Sequence, residues 1–136
     1  MDPNLVVDEE MEPDPELNKI TNAILGAAFA VHSKLGPGYQ ESFYENAMAI
    51  EMRHRGINFV RQAKFPVMYR DELIGEAKVD FIVEGLVVLE LKAVESLNSL
   101  FTSQVISYLK ATGHKLALLL NFNVRKLTDG IKRIAH

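Results

Sequence analysis

Hydrophobic residues first recur at three- and four-residue intervals, at Leu17, Ile20, Ile24, Ala27, Ala28, Val31 and Leu35, a spacing that predicts an amphipathic helix over 17–35. Gly36-Pro37-Gly38 ends it. A second helix is expected from about Tyr39 to Arg55, with Phe43, Ala47, Ile50 and His54 on one stripe and Glu41, Tyr44, Glu45 and Met48 on an adjacent one. Gly56 is its natural C-terminal cap. The pattern then turns to strands: Phe59–Gln62, Phe65–Tyr69, Leu73–Val83 and Leu86–Ala93 are rich in Val, Ile, Phe and Tyr, and turn-like Arg70-Asp71-Glu72 and Glu84-Gly85 separate them. This reads as an antiparallel meander. Pro66 removes a ladder donor, so its strand belongs at an edge. Helical spacing returns over 97–112 at Leu97, Leu100, Phe101, Val105, Tyr108 and Leu109, ending at Gly113. The run Lys115–Phe122 is nearly all apolar, as in a strand covered on both faces, and Gly130–Ala135 adds a final short strand. The expected order is α-α-β-β-β-α-β(-β), an α/β (α+β) domain with a mixed central β-sheet flanked by helices.

Composition narrows what such a domain does. The chain has 136 residues, 48% of them hydrophobic, which suits a single domain over 17–136 and one site rather than an interdomain cleft. It has no cysteine, so disulfides, thiolate zinc, iron–sulfur clusters and cysteine nucleophiles are excluded. The start lacks a basic, apolar leader, and no run approaches the roughly 18 apolar residues needed to cross a bilayer, so a cytoplasmic, non-membrane protein is expected. Residues 1–16 hold seven acidic residues and no Lys or Arg, which predicts a disordered acidic N-terminal arm. The remainder carries 15 basic against 11 acidic residues, a formal +4 that permits a nucleic-acid partner without demanding one.

The chemistry concentrates in Val79–Lys92, where Asp80 and, after nine residues, Glu90-Leu91-Lys92 are embedded in hydrophobic strands. Charged side chains in such places are costly unless paired or bound to a metal. Strand alternation puts Glu90 and Lys92 on one face. A two-residue hairpin at Glu84-Gly85 would set Asp80 opposite Leu89, on the wrong face. A three-residue connection at 84–86, or a bulge, sets it opposite Glu90, and that irregular turn is predicted, with Gly85 left-handed. Two carboxylates and a backbone carbonyl suit Mg2+ or Mn2+, with Lys92 orienting a water or stabilising developing charge during phosphodiester hydrolysis. The same three residues also fit a salt-bridge cluster on a solvated sheet face.

The segment Val31–Tyr44 (VHSKLGPGYQESFY), with Gly38, Glu41 and Tyr44 at its heart, resembles the hallmark of the GxxExxY proteins of the PD-(D/E)XK nuclease-like superfamily. The resemblance continues through Gly56, Arg61-Gln62, the Asp80 and Glu90-Leu91-Lys92 strands, Leu109–Gly113 and Leu119–Phe122, over roughly 18–134. It implies a PD-(D/E)XK restriction-endonuclease-like core. It also implies site roles for Glu41, the first-helix acid, for Asp80 as metal-binding aspartate, for Glu90 and Lys92 as the Glu-x-Lys pair, and for Gln104, which interrupts the apolar surface of its helix. Catalytic candidates are therefore Glu41, Asp80, Glu90, Lys92 and Gln104, and metal candidates Asp80, Glu90 and Glu41, with Mg2+ (or Mn2+) as cofactor and DNA as the expected partner. His32 beside the Gly-Pro-Gly turn reads as structural, Tyr44 as a packed residue with its hydroxyl bonded, and Lys34, Arg61, Lys64 and Lys110 as surface charges or phosphate contacts. His114 and His136 show no ligand spacing, and Gly36-Pro37-Gly38 is no phosphate loop because no Lys-Ser/Thr follows. The expectation is a metal-dependent nuclease. The alternatives are a catalytically silent nucleic-acid- or protein-binding module retaining the fold, or a homodimer whose groove forms on assembly.

Overall fold

A computed structural model describes residues 14–136. Helix α1 (Pro15–Leu35) is started by Asp14, whose carboxylate accepts the Glu16 amide at 2.8 Å. The expected acidic arm otherwise lies outside the described residues, and its last three positions are the helix cap and first turn rather than tail. Helix α2 spans Glu41–His54. Strands β1 (Phe59–Tyr69), β2 (Glu72–Val83) and β3 (Val87–Lys92) form the antiparallel meander. Helix α3 (Ser99–Thr112), capped by Asn98, returns the chain so that β4 (Leu116–Asn121) pairs parallel to β3. A 3-10 turn at Leu127–Gly130 leads into β5 (Ile131–Ala135), antiparallel to β4. The five-stranded mixed sheet runs β1-β2-β3-β4-β5, with Pro66 on the edge strand as expected.

Two cores sandwich this sheet. Ile20, Ile24, Ala28 and Val31 of α1 and Tyr44, Met48 and Met52 of α2 pack on Phe81, Val83, Leu89, Leu91, Leu118 and Leu120. On the other face Val105, Ile106 and Leu109 of α3 pack on Ala63, Phe65, Val79, Val88, Ala117 and Leu119. Strand β4 is buried throughout, the consequence of helices on both sides. In α2 the buried stripe is Tyr44, Met48, Ala49 and Met52, while Phe43 and Ile50 are exposed. Hydrophobicity alone misranks these stripes because a long exposed Ile and a buried Met read alike along a helix. Among the described residues no helix is long and apolar enough to cross a membrane.

The β2–β3 connection is the three-residue one. Val83 pairs with Val87, and Glu84 and Gly85 are both left-handed, at φ 52° and 71°. A Cβ on Gly85 would meet nothing within 4 Å. Gly85→Ala is therefore expected to cost only the backbone penalty, about 1 kcal/mol, readable as a small fall in the urea midpoint with an unchanged m-value.

Candidate metal centre

Register makes the centre. Counting back from Val83↔Val87 and Phe81↔Leu89 brings Asp80 level with Glu90, but the regular ladder stops at Phe81 and side chains take over. The Asp80 amide donates to Glu90 Oε1 at 2.8 Å, and the Leu91 amide donates to Asp80 Oδ2 at 2.8 Å. On the other side, Arg61↔Phe81 and Ala63↔Val79 leave out the pair Gln62–Asp80, where Gln62 is left-handed at φ 52°. At this level both strands exchange faces. Ala63, Phe65, Ala77 and Val79 pack toward α3, whereas Phe59, Phe81 and Val83 pack toward α1 and α2. Strict alternation would keep odd-numbered residues of each strand on one face, so one residue per strand absorbs the switch.

Glu90 is 5% exposed and Asp80 half-buried. Burial, then the charge of Asp80, pushes Glu90 up to about 8, with the Asp80 amide and Lys92 opposing. Burial pushes Asp80 up to about 6; the Leu91 amide opposes it, and the carboxylates of Glu45 and Glu41 add to it. Among the described residues neither Asp80 nor Glu90 forms an ion pair. Lys92 instead lays its ammonium 4.9 Å from the centre of the Phe101 ring. With no ion pair joining Asp80, Glu90 and Lys92 among the described residues, the salt-bridge reading is not what the fold builds.

The remaining candidates are placed as follows. Glu41 is exposed on the first turn of α2, where its charge acts on both carboxylates. It is not gathered with them: among the described residues no three acidic or histidine side chains are placed to hold one ion. Gln104 does not interrupt the buried stripe of α3, because Val105, Ile106 and Leu109 form that stripe and Gln104 stands on the exposed side. There it neighbours Tyr108, whose hydroxyl is raised by burial and by the charges of Glu90 and Asp80. Tyr108 thus belongs to the neighbourhood of the centre, a role its helix-stripe position conceals.

Outside the centre, Tyr44 is fully buried, stacked on Phe122 at 4.8 Å, and donates its hydroxyl to Gly36 O at 2.6 Å. His32 is structural, but its ring nitrogen meets Val124 O at 2.7 Å rather than the glycine turn. Arg61 bonds Glu45 at 2.7 Å, and Lys64 reaches Glu76 only at 4.0 Å. Asn121, buried at the end of β4, grips Val94 through both amide atoms and fixes the chain leaving Lys92.

A mixed sheet between two helical layers, with an Asp on one central strand and a Glu-x-Lys on the next, defines a nuclease-like α/β class. A family model of the PD-(D/E)XK nuclease superfamily matches residues 18–134, and the chain belongs to that superfamily. No curated protein and no solved structure matches it.

Proposed function

We propose that the protein is a divalent-cation-dependent phosphodiesterase acting on nucleic acid, with DNA as the first expected polymer. The carrying observation is the pair of desolvated carboxylates with no cationic partner among the described residues, each keeping one oxygen clear of the backbone donors that hold the other. Hard oxygens of this kind fit Mg2+ or Mn2+, and the burial and the Asp80 charge that lift Glu90 are what a dication would offset. Asp80 and Glu90 would hold the ion. When bound, it would supply charge stabilisation to a phosphodiester and ease deprotonation of an attacking water.

The protein's own groups supply the rest. The two backbone amides fix the carboxylates before any ligand arrives, so little reorganisation is left for the reaction. Lys92, on the same face as Glu90 and without an ion pair among the described residues, would bring a positive charge to the phosphate or orient the water. Glu41 adds negative potential from α2, and Gln104 stands beside Tyr108 at the rim. The Gly38, Glu41, Tyr44 pattern supports placing the chain with the GxxExxY proteins.

Incubation with mixed DNA and RNA in Mg2+, Mn2+ or EDTA tests the reading, with Lys92→Met as companion. Cleavage only with metal is expected, and Lys92→Met should lower it about a hundredfold while leaving ion affinity nearly unchanged. A folded protein that binds the ion and cuts neither polymer would be a binding module on a nuclease scaffold.

A further inference from the structure

Gln62 is an unusual residue for its backbone. Left-handed φ is ordinary for glycine and disfavoured for a side chain of this size, yet Gln62 holds φ 52° in the interior of β1. It does so level with Asp80, where both strands exchange faces and the ladder skips a pair. A glycine would satisfy that backbone more easily, so the reason for glutamine is to be found at the end of its side chain.

There, Nε2 donates to Glu45 Oε1 at 2.6 Å and to Asp80 Oδ1 at 3.3 Å. Both neighbours are acceptors, which settles the amide orientation: the NH₂ must face them. Glu45 is itself held, because its Oε2 accepts Arg61 Nε at 2.7 Å, and Arg61 also bonds Asn46. The chain of contacts runs from α2 through Glu45 and Gln62 to the one oxygen of Asp80 that the Leu91 amide leaves open. A carboxylate pinned at both oxygens cannot rotate about its terminal bond.

We propose that Gln62 is a positioning residue that fixes the Asp80 carboxylate and thereby sets the cation affinity of the centre; this rests on the proposed metal centre. Arg61 and Glu45 are its supports. Groups that orient a metal-binding carboxylate from behind typically change affinity about 10–100-fold when lost.

Two variants separate side chain from backbone. Gln62→Met keeps length and burial but donates nothing. Gln62→Gly also removes the left-handed strain, so it should unfold at a higher temperature than Gln62→Met. Mn2+ calorimetry and hydrogen exchange at the Leu91 amide are read on both and on wild type. Expected are a loss of Mn2+ affinity of about 10–100-fold in both variants and faster Leu91 exchange than wild type, with exchange at Leu89 and Leu118 unchanged. Unchanged affinity and unchanged Leu91 exchange would overturn the role of Gln62 while leaving the centre intact. A wild type that binds no Mn2+ would remove the centre and the affinity claim with it; faster Leu91 exchange in both variants would then preserve only the fixing of Asp80, and unchanged exchange would refute that as well.

Discussion

Replacing Asp80 with Asn and Glu90 with Gln together is expected to abolish Mg2+ and Mn2+ binding by calorimetry and to lower metal-dependent cleavage by more than about a thousandfold, the upper end of what a single preorganised electrostatic group supplies. Both substitutions keep the shape of the side chains and one acceptor oxygen each, so the Asp80 and Leu91 amides retain partners. The charges are lost, and with Asp80 the acceptor that faces Gln62 Nε2. The same variant carries an opposite signature in stability. Glu90 titrates near 8 when folded against 4.5 ordinarily, and Asp80 near 6 against 3.8. Because both values are raised, the folded state keeps protons that the unfolded chain releases. Their effect is absent below about pH 4 and becomes destabilising as pH rises through 8, reaching on the order of several kcal/mol at 1.36 kcal/mol per unit. In EDTA at pH 9 the double variant should therefore melt above wild type, with the gap closing near pH 4. Saturating Mn2+ should reverse the order by stabilising wild type alone. A wild type that is the more stable of the two in EDTA at pH 9 would mean that the carboxylates are already neutralised within the fold.

Tyr44→Ala is expected to cost about 3–5 kcal/mol in urea denaturation, as for other large aromatic truncations in a core. Tyr44 has no exposed surface, stacks on Phe122, and ties the Gly36-Pro37-Gly38 segment through Gly36 O and the Tyr39 amide. Tyr44→Phe keeps the stack and strands the two loop groups, at about 1–3 kcal/mol. A cost below about 1 kcal/mol for the alanine variant would show that the loop and Phe122 repack without it. The spacing of Gly38, Glu41 and Tyr44 thus has a structural explanation in part: the tyrosine lies one turn after the start of α2 and reaches back to the loop that precedes it. Only Glu41 of the three directs charge toward the centre.

Much of this was legible in the chain itself. Periodicity separated helices from strands, Pro66 marked the edge, and the unbroken apolar run before Asn121 marked the strand covered on both faces, because each of these depends on local chemistry and on a period of 3.6 or 2. The level placement of Asp80 and Glu90 also followed from counting residues across a turn that had to be irregular. What only the tertiary structure decided depends on which side each element faces and what then comes near. Phe43 and Ile50 lost the core to Tyr44 and Met48 because α2 lies on α1 and the sheet by that stripe. Gln104 fell to the exposed side of α3, Lys92 turned to Phe101, and Glu41 stayed apart from the carboxylates it influences. Gln62 and Glu45 lie 17 residues apart in sequence on different elements. The face exchange at Gln62 and Asp80 brings them to the centre, and it breaks the alternation from which a sequence reading of strands proceeds.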